Sequence, residues 1–188
     1  MHKIIEQLKE PKLKLSEEER KELWSNVEWG TFRLLDYFQS FGGKLLTSQW
    51  CLSNPGNINF ITSSTSNNGV NQKIDAKKAI KEGATLLRNV ISVSTNGQSC
   101  WAFYQDQPCI IGLDAVGLIP NIKLSKLQSL FICTMIRKEA FRFNYGRKLN
   151  TERLEKLTIG LPKAQDGTPD WNLIEKLAAS SDWTAKVE

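Results

Sequence analysis

The chain has 188 residues, 40% of them hydrophobic and 24% charged, with a formal net charge of +5. That length suits one ordinary domain with small terminal extensions, and a core able to stand without disulfide or metal staples. The balance excludes a disordered or fibrous chain, and no run nears the ~20 apolar residues of a membrane span.

Met1 to Glu10 is charged and has no apolar signal core, so the chain is expected in the cytoplasm, away from membranes. Cys51, Cys100, Cys109 and Cys133 are scattered without a Cys-x-x-Cys pair, and three sit among apolar or aromatic neighbours. They read as buried free thiols. His2 is the one histidine, so zinc-ligand spacing is missing.

In chain order, Ile4 to Leu8 is expected as a short helix ended by Pro11. Ser16 and Glu19 have capping-box spacing, so a second helix starts near Ser16, with Leu23, Trp24 and Val27 on its inner face. Trp29 to Lys44 predicts a strand, a helical turn, and a Gly42-Gly43 loop carrying Lys44. Residues 53 to 72 hold twelve Ser, Thr or Asn and no charge. Within them, a buried strand from Ile58 to Thr62 should deliver a polar loop from Ser63 to Asn71, with Gly69 allowing it to turn. A helix follows over Asp75 to Gly83.

Thr85 to Thr95 reads as one strand, Asn96-Gly97 as a hairpin turn, and Ser99 to Tyr104 as the returning strand. Cys109 to Leu118 reads as another strand. Leu127, Leu130, Phe131, Met135 and Ile136 predict a mostly buried helix over 124 to 138. Short elements are expected at Glu152 to Leu157 (helix) and Ile159 to Leu161 (strand). Asp166-Gly167 marks a turn, and Asp170 caps a last helix with Leu173, Ile174 and Leu177 inward.

Catalytic signatures are thin. His2 stands at a terminus, which suits no Ser-His-Asp or Cys-His arrangement. Neither common Gly-rich phosphate loop is present, nor the paired motifs of a methyltransferase. Asp170 with Glu175-Lys176 superficially matches a metal-dependent nuclease. However, the Glu and Lys are adjacent on an apparent helix, where neighbours point in different directions.

Charge is concentrated in one place. Arg137 to Lys156 holds seven Lys/Arg against three acids. Phe141, Phe143 and Tyr145 alternate with Arg142, as in a strand that buries one face and points Arg142 outward. Gly146 would then turn the chain to present Arg147 and Lys148. Arginine forks onto guanine edges or phosphate, and lysine adds a point charge. Ser64, Thr65, Ser66, Asn67 and Asn68 offer uncharged donors and acceptors suited to base edges, with Lys44 and Asn96 as further candidates. The plainer alternatives are a solvated basic surface and a loop stabilised by its own side-chain-to-backbone bonds.

Phe141-Arg142-Phe143-Asn144-Tyr145-Gly146-Arg147-Lys148, then Asn150 and Arg153, Leu161-Pro162, and Asp166-Gly167-Thr168-Pro169-Asp170-Trp171 form a recognisable series. It resembles one target-recognition domain of type I restriction–modification DNA specificity subunits and related type IIB and IIG proteins. Glu28-Trp29, Gly43-Lys44, Asn57 to Thr62 and Trp101 to Tyr104 agree with it, over roughly residues 28 to 177.

The resemblance implies an α+β fold: a twisted, partly barrel-like mixed β-sheet with flanking helices. It also implies a non-catalytic reader of one half of a split duplex DNA target. A partner DNA adenine methyltransferase subunit, not this chain, would bind S-adenosylmethionine, and a restriction subunit joins some such complexes. Residues 1 to 27 are expected as a helical extension, 28 to 165 as the recognition domain and 166 to 188 as a helical segment. A typical type I subunit has two recognition domains and long spacer helices. This chain has one, so it is expected either as a half-length subunit forming a C2 dimer or as an excised domain. The competing functional readings are a protein–protein adaptor with a basic face, and a nuclease.

Overall fold

The computed structural model describes residues 15 to 143 and 146 to 181. The expected helix at Ile4 to Leu8 lies outside them. The chain forms two compact units, one from residues 1 to 30 with 160 to 188, the other from Thr31 to Ile159. The boundary cuts β1 (Trp29–Arg33) and β10 (Thr158–Pro162), which form a two-stranded sheet.

In the first unit, α1 (Glu17–Ser25) starts at Ser16 through a complete capping box: Ser16 Oγ accepts from Glu19 N, and Glu19 accepts from Ser16 N. Reciprocal bonds of this kind satisfy two otherwise orphaned donors. Leu23, Trp24 and Val27 are half-buried, as their spacing predicts. Trp24 stacks on Trp29 at 6.4 Å and donates to Ser180 Oγ. Gly167 turns at φ +85°, and Asp166 Oδ1 accepts from both Thr168 N and Thr168 Oγ1, which pulls the Asp166 carboxyl below its usual pKa. Asp170 then caps α6 (Trp171–Ser180), whose Ile174 and Leu177 are buried.

The second unit contains two open four-stranded sheets. One runs β2–β9–β6–β7 and the other β4–β3–β8–β5. Their strands are β2 (Phe38–Gly42), β3 (Pro55–Ile61), β4 (Val70–Ile74), β5 (Leu86–Leu87), β6 (Val90–Ser94), β7 (Ala102–Gln105), β8 (Cys109–Ile111) and β9 (Ala115–Pro120). Pairing is antiparallel throughout these two sheets, except that β3 and β8 run parallel, Asn59 opposite Cys109. Short helices α2 (Ser48–Ser53) and α3 (Ala76–Lys81) flank the second sheet, and α4 (Lys126–Lys138) lies along β7. One core cluster gathers Cys51, Phe60, Ile74, Ala79, Ala84 and Ile110; another gathers Ile61, Val90, Cys109, Ile111 and Ala115. Helix α4 buries Phe131, Ile132 and Ile136 completely.

Several sequence expectations need correction. The run from Thr85 to Thr95 is two strands, because Asn89 takes a left-handed φ of +54° and passes the chain from one sheet to the other. Cys109 to Leu118 likewise divides at a turn over Gly112, Leu113 and Asp114, which also switches sheets. Asn96-Gly97 is not a two-residue turn. Ser94 N donates to Trp101 O and Cys100 N to Ser94 O, so residues 95 to 99 form a longer loop and the returning strand starts at Ala102. Strands β2 and β4 and helix α2 had no expectation, and the polar loop ends at Gly69, just before β4 begins at Val70.

All four cysteines are free and buried. Burial pushes Cys100, Cys109 and Cys133 up to about 12 from an ordinary 9.0. An unfolded chain ionises these thiols from pH ~9 while the folded one keeps them neutral. Stability should therefore be intact below pH ~9 and fall as pH rises toward ~12. Denaturation midpoints measured across that range check it. A midpoint independent of pH there would contradict the buried placement.

Candidate nucleic-acid interface

Strand direction decides where the loops lie. β3 and β8 are parallel, and β2 and β6 are both antiparallel to β9, so β2, β3, β6 and β8 each end beside the Gly112–Asp114 turn. Hydrogen bonds tie the loops there. Gly112 N donates to Ile61 O at 2.7 Å, Thr95 N to Asp114 O at 2.9 Å, and Lys44 N to Ile111 O at 2.9 Å. Three connections thus start at that turn: the Lys44 loop, the β6–β7 loop, and the polar loop after β3, which extends from there to Tyr104 and Gln105 at the other end of β7. A groove of about 240 Å³ opens between the segment after Lys44, the flanks of the polar loop and the Gly112–Asp114 turn, edged by Leu45, Thr62, Ser63, Asn71 and Asp114.

The basic segment reaches the same end. Lys126 pairs with Asp106 at 3.8 Å, beyond the end of β7, whereas Arg137 Nε donates to Ala102 O at the strand's start. Helix α4 therefore runs antiparallel to β7 and releases the chain beside the β6–β7 loop. Leu149, fully buried, directs its N–H to Ser99 Oγ in that loop at 3.4 Å.

The predicted contact residues fall into three groups. Lys44, Arg147 and Lys148 are exposed and have no ion-pair partner among the described residues. Gly146, at φ +86°, turns the chain just before the last two. The second group is the exposed polar loop. Ser64 Oγ bonds Ser66 O and accepts from Ser66 N, and Asn67 Nδ2 donates to Val70 O, while Thr65 stands exposed between the two serines.

The third group commits its side chains to partners in the protein, although Asn68 and Arg142 are themselves exposed. Asn68, at φ +53°, donates to Tyr104 O at 3.1 Å and to Gln105 Oε1 at 3.3 Å. Asn96 donates to Asp114 Oδ1 at 2.9 Å and accepts from Gly97 N. Arg142 bonds Glu139 at 3.0 Å. Tyr145 lies outside the described residues.

The strand expected at Phe141 to Tyr145 is corrected as far as it is described. Glu139 to Arg142 form a 3-10 turn continuing α4, and Phe141 is 81% exposed rather than buried on one face. The alternation of aromatics suggested a strand, but the turn's period of about three disperses them around the backbone.

Two supports for this surface escaped the sequence reading. Gln105 is buried, and its Nε2 donates to Asn68 O at 2.8 Å and to Ser92 Oγ at 3.0 Å, fastening the polar loop to the sheet. A buried amide with matched partners of this kind is typically worth ~1 kcal/mol and costs more when half of it is lost. Arg137 lies over the rings of Phe103 at 4.4 Å and Trp101 at 5.3 Å. The available signal was Trp101-Ala102-Phe103, whose spacing of two puts both rings on one face of a strand.

Catalytic features are sparse in the same structure. Glu175 and Lys176 stand side by side on α6. Among the described residues, no group of three His, Cys, Asp or Glu could hold a metal, and no helix is long and apolar enough to cross a membrane.

The chain is similar to several known proteins. Residues 26–187 match the Type I restriction modification DNA specificity domain. The chain is 30% identical over 152 residues to the Type II restriction enzyme BgcI specificity subunit S.BcgI of Heyndrickxia coagulans, covering 80% of this chain and 42% of that one. Its fold is similar to the Type-I restriction-modification system S subunit from M. genitalium, with a TM-score of 0.55 and 17% identity, over 84% of this chain and 38% of that one. The HsdS subunit from Thermoanaerobacter tengcongensis gives 0.53 and 13%, over 84% and 40%. This chain thus spans about two fifths of the length of those proteins. It belongs to the Type I restriction modification DNA specificity domain family.

Proposed function

We propose that the chain reads one half of a split duplex DNA target and carries out no catalysis itself. It acts as the specificity subunit, or half-subunit, of a restriction–modification methyltransferase or endonuclease complex in the cytoplasm. The observation that carries this reading is that Lys44, Arg147 and Lys148, exposed and with no ion-pair partner among the described residues, leave the second unit at the end where the polar loop begins. Cations without protein partners suit phosphates, and short uncharged side chains suit base edges.

The three cations and Tyr145 anchor the backbone, and Ser64, Thr65, Ser66 and Asn67 face the bases. Asn68, Asn96 and Arg142 shape the loops from within and meet DNA chiefly through their exposed edges. Residues 28 to 165 are the reader, and residues 1 to 27 and 166 to 188 are the assembly surfaces. The partner is a DNA adenine methyltransferase subunit holding S-adenosylmethionine, with a restriction subunit in the larger complex. A C2 homodimer supplies the second half-reader.

Selection of bound duplexes from a random pool, with and without a modification subunit, tests this. One short motif should be enriched, more sharply with the partner present. A pool that stays unenriched under both conditions would reject the reading. A second reading, a protein adaptor, draws on the exposed Phe141 within the basic segment; it predicts binding to an acidic protein and none to duplex DNA.

A further inference from the structure

Arg137 sits in an unusual environment for a cation. It stands in the last turn of α4, is half-buried, and has its charge disfavoured by burial. A charge drawn out of water is usually answered by an opposite charge or by hydrogen bonds. Among the described residues, no carboxylate pairs with Arg137. Its Nε is committed to Ala102 O at 2.7 Å, and its plane lies against Phe103 and Trp101. These contacts fix the plane and orientation of the guanidinium and leave its charge unneutralised. The terminal nitrogens donate to no acceptor among the described residues, and they are not sealed from solvent.

The location adds the ligand's sign. Exposed Lys138 follows directly, and Arg147 and Lys148 leave the same end of the sheet. An isolated carboxylate ligand would not require such a run of positive charge, whereas a nucleic-acid backbone does.

We infer that Trp101 and Phe103 form an aromatic rest that holds the Arg137 guanidinium ready to clamp the non-bridging oxygens of one backbone phosphate of the bound duplex. Arg137 is the phosphate-binding residue, and the two aromatics are positioning residues. A guanidinium already stacked and bonded through Nε loses little further freedom on binding, so its fork engages phosphate at low entropic cost. The inference rests on the duplex-reading function proposed above.

The test measures affinity for a short duplex of arbitrary sequence between ~50 and ~200 mM salt, with thermal melting recorded for each protein. Wild type should show steeply salt-dependent binding. R137A should lower the slope of log affinity against log salt by about one. R137K should keep the slope while losing affinity several-fold, since an ammonium lacks the planar fork. W101L should also keep the slope and lose affinity.

A wild type without salt-dependent binding would overturn the duplex-reading function and this inference together. A wild type that binds, with R137A retaining its slope, would overturn the inference alone and leave the stack as a structural pin that affects melting only. Should R137A fail to fold, R137K decides: wild-type affinity in that variant rejects the clamp.

Discussion

Replacing Arg147 and Lys148 together by alanine should weaken duplex binding by roughly 10- to 100-fold near physiological salt and lower the salt slope by about two. The reason is their placement. Both are exposed cations with no ion-pair partner among the described residues, delivered by the Gly146 turn to the end where the loops start. Neither supports the core, so the melting temperature should hardly move. The neighbouring Leu149 is fully buried and keeps the segment in place. Titration of a labelled duplex at several salt concentrations checks the prediction. Wild-type affinity and slope in the folded double variant would place the binding surface elsewhere.

Gly43→Ala should cost roughly 3 kcal/mol, or a fall of roughly 6–12 °C in melting temperature for a chain of this size. A Cβ at position 43 would overlap the Gly112 carbonyl and meet the Ala115 carbonyl oxygen at 2.9 Å. These obstacles are backbone atoms, so no flexible side chain can move aside. Gly112 cannot readily retreat, because its own N–H is held by Ile61 O and its own Cβ position is closed by Phe60. The displaced residue is next to Lys44, so DNA affinity should fall along with stability. Calorimetry and duplex titration on one preparation separate the two losses. By contrast, Gly42→Ala is expected to be mild, since nothing lies within 4 Å of its Cβ position.

Local chemistry made much of this fold legible. Ser16 and Asp170 cap helices through bonds between neighbours in sequence, and such bonds need no knowledge of the rest of the chain. The apolar period of α4 was equally readable. What stayed hidden depended on partners distant in sequence. Asn89 reads as an ordinary residue in a β-prone run until its left-handed backbone hands the chain to the other sheet. β4 was hidden because Asn71, Gln72 and Lys73 are polar, and pairing with β3 rather than hydrophobicity makes them a strand.

The site followed the same division. Composition located the basic segment and the Ser/Thr/Asn loop, and strand direction brought them together. Composition could not foresee that the amides of Asn68 and Asn96 are held by distant partners in the protein. Each amide meets a group more than a dozen residues away, Gln105 and Asp114 respectively. Phe141 misled for the opposite reason: alternation has meaning only in an extended backbone, and here the backbone coils.

The parallel pairing of β3 with β8 also has a kinetic consequence. Its partners, Asn59 and Cys109, are about fifty residues apart, and both β5 and the β6–β7 hairpin must be threaded between them. Contacts of such long range form late and slow the search for the native state. The hairpin can assemble early from its own neighbours, but the Gly112 turn that ties the loops together exists only after β8 has docked on β3. A nascent or half-folded chain would therefore carry the same positive charge with no ordered reading face. Recognition is expected to switch on in the last folding step, together with closure of the second sheet.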